Sequence, residues 1–115
     1  MWDDNTVLSF DAENTMSSNF GDAGSVKVPV KRIDDCLAQT VGDICIKMDI
    51  EGSEKRAIIG ASNTIKKHSP YMAICVYHQL PDILEIPKTI KSINPNYKFY
   101  LRAGMHTECY AVPIV

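Results

Sequence analysis

The sequence lacks the signatures of several common enzyme classes. None of its six glycines belongs to a GxGxxG turn or to a phosphate-binding P-loop, and no GxSxG nucleophile elbow is present. Neither a phosphate cradle nor an α/β-hydrolase site is therefore expected. The four cysteines form no CxxC pair and have no histidine at zinc-finger spacing, so we assign no metal from the sequence.

An excess of positive charge and long apolar runs are also missing. Twelve Lys and Arg residues face fourteen Asp and Glu, and the formal charge of -2 provides no basic field for a nucleic-acid backbone. The apolar runs are only a few residues long and the amino terminus is acidic, so neither a membrane span nor a signal peptide is predicted. We expect a cytoplasmic protein with neither nucleic acid nor membrane as a partner.

What the sequence does contain fits one globular domain over residues 1–115, with 45% hydrophobic and 23% charged residues. Near its start, Val7 to Phe10 and Val26 to Val30 are short apolar segments on either side of the polar stretch 11–25. They predict a β-hairpin. Pro29 places the second strand at an edge or bulge, because proline cannot donate a ladder hydrogen bond.

The middle of the chain has the pattern of a βαβ unit. Asp43 to Ile50 and Met72 to Tyr77 are apolar runs typical of buried strands, and Ser53 to His68 between them has apolar residues at helical spacing. Two strands joined by a helix are expected to lie parallel. Just upstream, Asp34 or Asp35 is expected to cap a short helical turn of its own.

The last third predicts a helix followed by a hairpin. Pro81 suits the first turn of a helix whose isoleucines keep their spacing as far as Ile93, and Pro87 predicts a kink or a restart within it. Tyr97 to Arg102 and Glu108 to Val112 can pair antiparallel. The expected fold class is α/β, with about six strands in one sheet, parallel central strands and an antiparallel carboxyl-terminal hairpin.

Chemistry is expected at the carboxyl ends of the parallel strands, where loops and helix amino termini converge. Asp49 and Glu51 follow the first strand, Gly52 allows a sharp turn into the helix, and Tyr77 and His78 follow the second strand. If the strands are neighbours, the carboxylates and the imidazole face one cleft. They could take a proton, hold a hydroxyl or bind a cation, or they could be solvated acids and a hydrogen-bonded histidine without function.

Several segments, taken in order, resemble the second half of the FkbM family of S-adenosylmethionine-dependent methyltransferases. They are VPVKRIDDCL, IKMDIEGSE, AIIGASNTIKK, AICVYH, EIPKTIKSINPNYKFYLR and ECYAV. The resemblance implies a partial Rossmann-like methyltransferase sheet and methyl transfer from S-adenosylmethionine, commonly to a hydroxyl group of a sugar or natural product. The implied partner is a small-molecule or glycan acceptor.

The resemblance also assigns roles to residues. Asp49 corresponds to an acidic position by the methionine end of the cofactor, Glu51 and Gly52 complete the motif, and Tyr77 and His78 correspond to positions near the acceptor pocket. The implied catalytic set is Asp49, Glu51 and His78. Asp49 or His78 would orient or deprotonate the acceptor hydroxyl, mainly by alignment, and which of them is the base stays open.

The chain departs from the family on the cofactor side. The glycine-rich turn after the first strand and the acidic residue after the second have no counterpart, so the sheet is expected to lack its first βαβ unit. Trp2 and Asp3 are interpreted as cofactor contacts from the adenine-side loop, and Ala103 follows Arg102 where the family usually has RH. We expect a truncated methyltransferase domain that needs a complementing chain or a second copy. The alternative is a non-catalytic interaction module or an inert fragment.

Overall fold

A computed structural model describes residues 3–10 and 26–114, except the side chain of Phe10. The strands are β1 (Thr6–Phe10), β2 (Val26–Val30), β3 (Cys45–Met48), β4 (Tyr71–Cys75), β5 (Tyr97–Arg102) and β6 (Glu108–Pro113). The helices are α1 (Ile33–Cys36), α2 (Glu54–Ile59), α3 (Ser62–His68) and α4 (Asp82–Ile93). Trp2 and the polar stretch 11–25 lie outside the described residues. None of the described helices has the length and apolar composition needed to cross a membrane.

The amino-terminal hairpin is confirmed. β1 and β2 pair antiparallel, from Thr6 opposite Val30 to Phe10 opposite Val26. They form a sheet of their own, so the expectation of about six strands in a single sheet is wrong. Apolar alternation predicts a strand but does not specify its neighbour in the fold, and Val7 and Val26 remain largely exposed.

The main sheet has the strand order β3-β4-β6-β5. β3 and β4 run parallel with Met48 opposite Ile74, whereas β6 lies antiparallel to both β4 and β5. The predicted parallel pair and the carboxyl-terminal hairpin are therefore confirmed. Because β6 lies inside the sheet, β3 and β5 are its edges within the described ranges.

The helices cover one face of the main sheet. Alternate strand residues, among them Met48, Ile74 and Ala111, are buried in one apolar cluster with residues of α2, α3 and α4. Removal of this apolar surface from water is the main driving force for the packing. The opposite face of the sheet exposes Tyr71 and Tyr100.

The single helix predicted from Ser53 to His68 is wrong, because the chain forms two helices, α2 and α3, with a break after Gly60. The Gly60 carbonyl accepts a hydrogen bond from Asp34 N–H at 2.9 Å. The Asp34 carboxylate accepts hydrogen bonds from Asn63 N–H at 3.1 Å and from Thr64 N–H at 2.8 Å. Asp34 therefore occupies the break and caps the first turn of α3.

The capping role predicted for Asp34 is thus found at α3 and not at its own helix. At α1 the N-cap residue is Arg32, which makes no side-chain capping bond. Asp34 also accepts hydrogen bonds from the Thr64 hydroxyl at 2.9 Å and from Arg32 Nη2 at 3.1 Å. Burial raises the pKa of Asp34, but the four hydrogen bonds outweigh it, and the pKa lies below its ordinary value.

α4 continues through Pro87, so of the predicted kink or restart the restart is wrong, and the kink stays a prediction. Ile86 and Ile90, on either side of it, are fully buried. A proline inside a helix costs about 3 kcal/mol, whereas complete burial of each isoleucine contributes about 2 kcal/mol. Packing against the sheet therefore outweighs the local preference.

Asp34→Asn should lower the free energy of unfolding by about 2–3 kcal/mol, because the charged acceptor of four hydrogen bonds is lost. Since the native pKa is lowered, this stabilisation is complete above the unfolded pKa and disappears as the pH falls through the native pKa. In urea unfolding between about pH 2 and pH 6, the difference in stability between wild type and variant should shrink as the pH falls. Asp43→Asn, at an exposed position, is the control. Equal losses in both variants would contradict the assigned role.

Candidate functional site

The chain turns sharply between β3 and α2. Glu51 has a φ of 56° and Gly52 a φ of 97°, so two consecutive residues have positive φ. Glycine tolerates this conformation, but a residue with a side chain pays about 1–2 kcal/mol for it. The turn leaves Asp49 and Glu51 at the carboxyl end of β3 and starts α2 at Glu54.

Glu54 closes this turn from the inside. Its side chain is fully buried, and its Oε1 accepts a hydrogen bond from Ile50 N–H at 2.8 Å. The same oxygen lies 3.2 Å from Nδ1 of His78. An acidic side chain in the first helical turn that reaches back to an upstream N–H is a capping contact. Glu54 therefore fixes the start of α2 and stands behind His78.

His78 lies between Glu54 and the two acids of the turn. Its side chain is 10% exposed, and its Nε2 lies 3.4 Å from both Asp49 Oδ1 and Glu51 Oε2. Those two carboxylates are 46% and 38% exposed. The site is therefore a buried imidazole whose Nε2 faces a pair of accessible carboxylates.

Tyr77 orients one of these carboxylates. Its hydroxyl donates a hydrogen bond to Asp49 Oδ1 at 3.1 Å, and its ring centroid lies 4.0 Å from that of His78. Desolvation, followed by the hydrogen bond to Asp49, raises the pKa of Tyr77 to about 12, so its hydroxyl remains a donor near neutral pH. Burial, followed by the charge of Asp49, raises the pKa of Cys75 to about 11, which makes this thiol a poor nucleophile.

The structure brings together four of the residues selected from the sequence, which are Asp49, Glu51, Tyr77 and His78. Their convergence follows from the parallel pairing of β3 and β4, whereas their chemical roles stay predictions. Asp3 lies beside α2, where its Oδ1 is 3.6 Å from Arg56 Nη1. Trp2 lies outside the described residues, so the proposed adenine-side contact stays a prediction for both residues.

Sequence reasoning missed three polar residues that support the site. They are Glu54, Gln79, whose Nε2 donates to the Gly52 carbonyl at 3.2 Å, and Asp82, which is buried at the start of α4. Burial, followed by the charge of Glu54, raises the pKa of Asp82. An acid just after the DxEG turn is a signal for a capping contact, but no local pattern indicates that Glu54 is buried.

The site offers one imidazole nitrogen and two carboxylates to the same small region. Such a group can take a proton from a hydroxyl, hydrogen-bond a polar molecule or bind a cation. These groups come from the carboxyl ends of neighbouring parallel strands, which is where α/β proteins bind their ligands. The fold thus defines an α/β protein whose polar cluster lies at the sheet edge where such proteins bind ligands.

Comparisons with known proteins identify the family. The family model described as the methyltransferase FkbM domain matches residues 3–100. The crystal structure of methyltransferase FkbM from Methylobacillus flagellatus KT is similar, with a TM-score of 0.65 and 38% sequence identity. The similarity covers 74% of this chain and only 23% of that chain. The comparison with curated proteins gave no match.

The chain belongs to the FkbM methyltransferase domain family, as the resemblance of its segments indicates. Its mixed sheet, with parallel and antiparallel pairs and helices, is consistent with part of an α/β methyltransferase fold.

Gly52→Ala should destabilise the chain more than Gly42→Ala. Both glycines have positive φ, 97° and 104°, so the backbone strain is similar in the two variants. A Cβ at Gly52 would lie 3.1 Å from Gln79 Nε2, whereas at Gly42 nothing lies within 4 Å. Urea unfolding should give an additional loss of about 1 kcal/mol for Gly52→Ala. Equal losses would mean that Gln79 does not brace the turn.

Proposed function

We propose that this chain forms the acceptor side of an S-adenosylmethionine-dependent O-methyltransferase that modifies a hydroxyl group of a sugar or natural product. The observation that carries the proposal is the convergence of Asp49, Glu51 and His78 at one edge of the sheet, in a chain of the FkbM family. The sulfonium of the cofactor already activates the methyl group. The protein has to align the acceptor oxygen with it and remove a proton.

Asp49 and His78 are suited to that task. Asp49 is accessible to an acceptor and is oriented by the Tyr77 hydroxyl, while Nε2 of His78 borders the same space. The acceptor hydroxyl would donate its hydrogen bond to one of these two groups and pass its proton to it. The oxygen would form its new bond to the methyl carbon as the bond between methyl and sulfur breaks. Fixed alignment of the reacting atoms lowers the barrier.

The cofactor side would need a further segment. The glycine-rich turn that binds the cofactor in the family has no counterpart in this sequence. The M. flagellatus protein extends far beyond the matched region, which is 23% of its chain. We propose that a segment carrying this turn pairs with the outer edge of β3, which has no paired strand among the described residues. An apolar pocket of about 280 Å³, lined in part by Leu37, Ile46 and Ala57, supports this docking position.

The same edge supports a second candidate, a non-catalytic interaction module. A second copy of the chain could pair along β3, and the exposed Tyr71 and Tyr100 on the open face of the sheet would add apolar contact area. Unpaired strand edges and exposed aromatic surface both favour association. The two candidates differ in whether S-adenosylmethionine binds.

Isothermal titration calorimetry should detect S-adenosylmethionine binding when the chain is mixed with the part of the M. flagellatus protein that lies outside the matched region. With methyl-labelled cofactor and a panel of monosaccharides and glycosides, this mixture should transfer label. Asp49→Asn should lower the transfer rate by at least about 100-fold, because the acceptor loses its hydrogen-bond acceptor or base. Asp43→Asn, at the opposite end of β3, should leave the rate unchanged.

Two outcomes would count against the enzyme. Equal transfer rates in Asp49→Asn and Asp43→Asn would exclude the assigned acceptor site. Absence of cofactor binding in the mixture, together with a stable dimer of the chain in analytical ultracentrifugation, would favour the interaction module.

A further inference from the structure

The imidazole of His78 makes no hydrogen bond to any described residue, although its side chain is nine-tenths buried. Both ring nitrogens are shielded from solvent. Nε2 faces Asp49 Oδ1 and Glu51 Oε2 at 3.4 Å each, beyond the usual hydrogen-bond range of about 2.7–3.2 Å. Buried polar atoms without such bonds are uncommon, and at an accessible cluster of acids they indicate a ligand.

We propose that Asp49, Glu51 and His78 bind a divalent metal cation. Their three ligand atoms lie within 4.8 Å of one another. Two atoms that each lie about 2.1 Å from an ion are about 3.0 Å apart at an octahedral angle and about 3.4 Å apart at a tetrahedral angle. The two contacts of His78 Nε2 match this spacing. The carboxylates are exposed, so small side-chain rotations can complete the set.

The surrounding charge favours a cation. Asp49 and Glu51 lie next to each other at the rim, and the fully buried Glu54 adds a third carboxyl group behind His78. Like charges held within a few ångströms repel one another, and the repulsion grows as the surroundings exclude water. A divalent cation bound between the two rim carboxylates would attract each of them and offset the repulsion between them.

Glu54 also prepares His78 as a ligand. Its Oε1 lies 3.2 Å from Nδ1, a close approach without hydrogen-bond alignment. A small rotation of the ring that directs an N–H on Nδ1 at Oε1 would leave the lone pair of Nε2 for the metal. Histidine ligands in metalloproteins usually have a carboxylate or carbonyl at the other nitrogen. A set of one imidazole and two carboxylates suits Mn²⁺ or Zn²⁺ better than Ca²⁺, which takes oxygen ligands.

The spacing of cysteines and histidines assigned no metal from the sequence, but cation binding by Asp49 and Glu51 was one of the alternatives left open, and the geometry favours that alternative. The inference deepens the proposed function and rests on it in one respect, since the cation would coordinate the acceptor hydroxyl of the methyl transfer. With the cation bound by Nε2 of His78 and one oxygen of Asp49, the acceptor proton would pass to the second oxygen of Asp49. Cation binding itself requires neither acceptor nor cofactor. It can therefore be measured separately.

Electron paramagnetic resonance tests the site directly with Mn²⁺, because the six-line signal of the free ion falls as the ion binds. The chelator-treated full chain should bind one equivalent of Mn²⁺. Asp49→Asn and Glu51→Gln should each raise the dissociation constant by at least about tenfold, since each removes an anionic ligand. Both residues are exposed, so neither variant should unfold. Asp43→Asn should bind as tightly as the wild type.

A Mn²⁺ signal that the wild-type chain leaves unchanged at millimolar protein would overturn the cation site. Wild-type affinity in both Asp49→Asn and Glu51→Gln would overturn it as well. Mn²⁺ binding without S-adenosylmethionine binding in the complemented mixture would support the cation site and count against the proposed methyl transfer. Methyl transfer in a mixture that binds no Mn²⁺ would support the proposed methyl transfer and overturn the cation site.

Discussion

The hydrogen bond from Ile50 N–H to the buried carboxylate of Glu54 is the contact on which the site depends. Burial of a glutamate side chain carries a large desolvation free energy unless hydrogen-bond donors offset it. The fully buried Glu54 is therefore restricted to a position where its carboxylate meets the donor Ile50 N–H. By binding Ile50 N–H, Glu54 closes the turn that carries Glu51 at positive φ. It also lies 3.2 Å from Nδ1 of His78, on the side of the ring away from Asp49 and Glu51. The groups at the rim are thus positioned from the interior of the fold.

Asp34 offers an instructive comparison, because it is a second buried acid at the start of a helix. Both of its oxygens accept hydrogen bonds, from backbone groups at the start of α3 and from side chains of Thr64 and Arg32. Glu54 differs, since its Oε2 has no hydrogen-bond partner among the described residues, and neither have the nitrogens of His78. A buried acid whose two oxygens both accept hydrogen bonds, as in Asp34, stabilises the fold. Unsatisfied groups behind the accessible carboxylates of Asp49 and Glu51 are what the proposed cation would complete.

The parts of the fold that were predictable from the sequence depend on local patterns. The two hairpins and the parallel pair of β3 and β4 follow from apolar runs and alternation, and the position of Asp49 and His78 at one sheet edge follows from that pairing. The break between α2 and α3 was not predictable, because it depends on Asp34, about 30 residues away. The continuity of α4 through Pro87 and the burial of Glu54 likewise depend on tertiary packing, which local hydrophobic periodicity in the sequence does not indicate.

Three side-chain contacts that hold the turn and orient Asp49 lie within one short part of the chain. Tyr77 orients Asp49, Gln79 braces the carbonyl of Gly52, and Glu54 binds the turn, so these three contacts join residues within 49–79. None of these contacts uses the outer edge of β3, where the cofactor-side segment is proposed to dock. These side chains can therefore hold their geometry before any such segment binds. If the cofactor and acceptor sites come from different halves of the sheet, as proposed, this independence would let one half be assembled first and the other dock onto it.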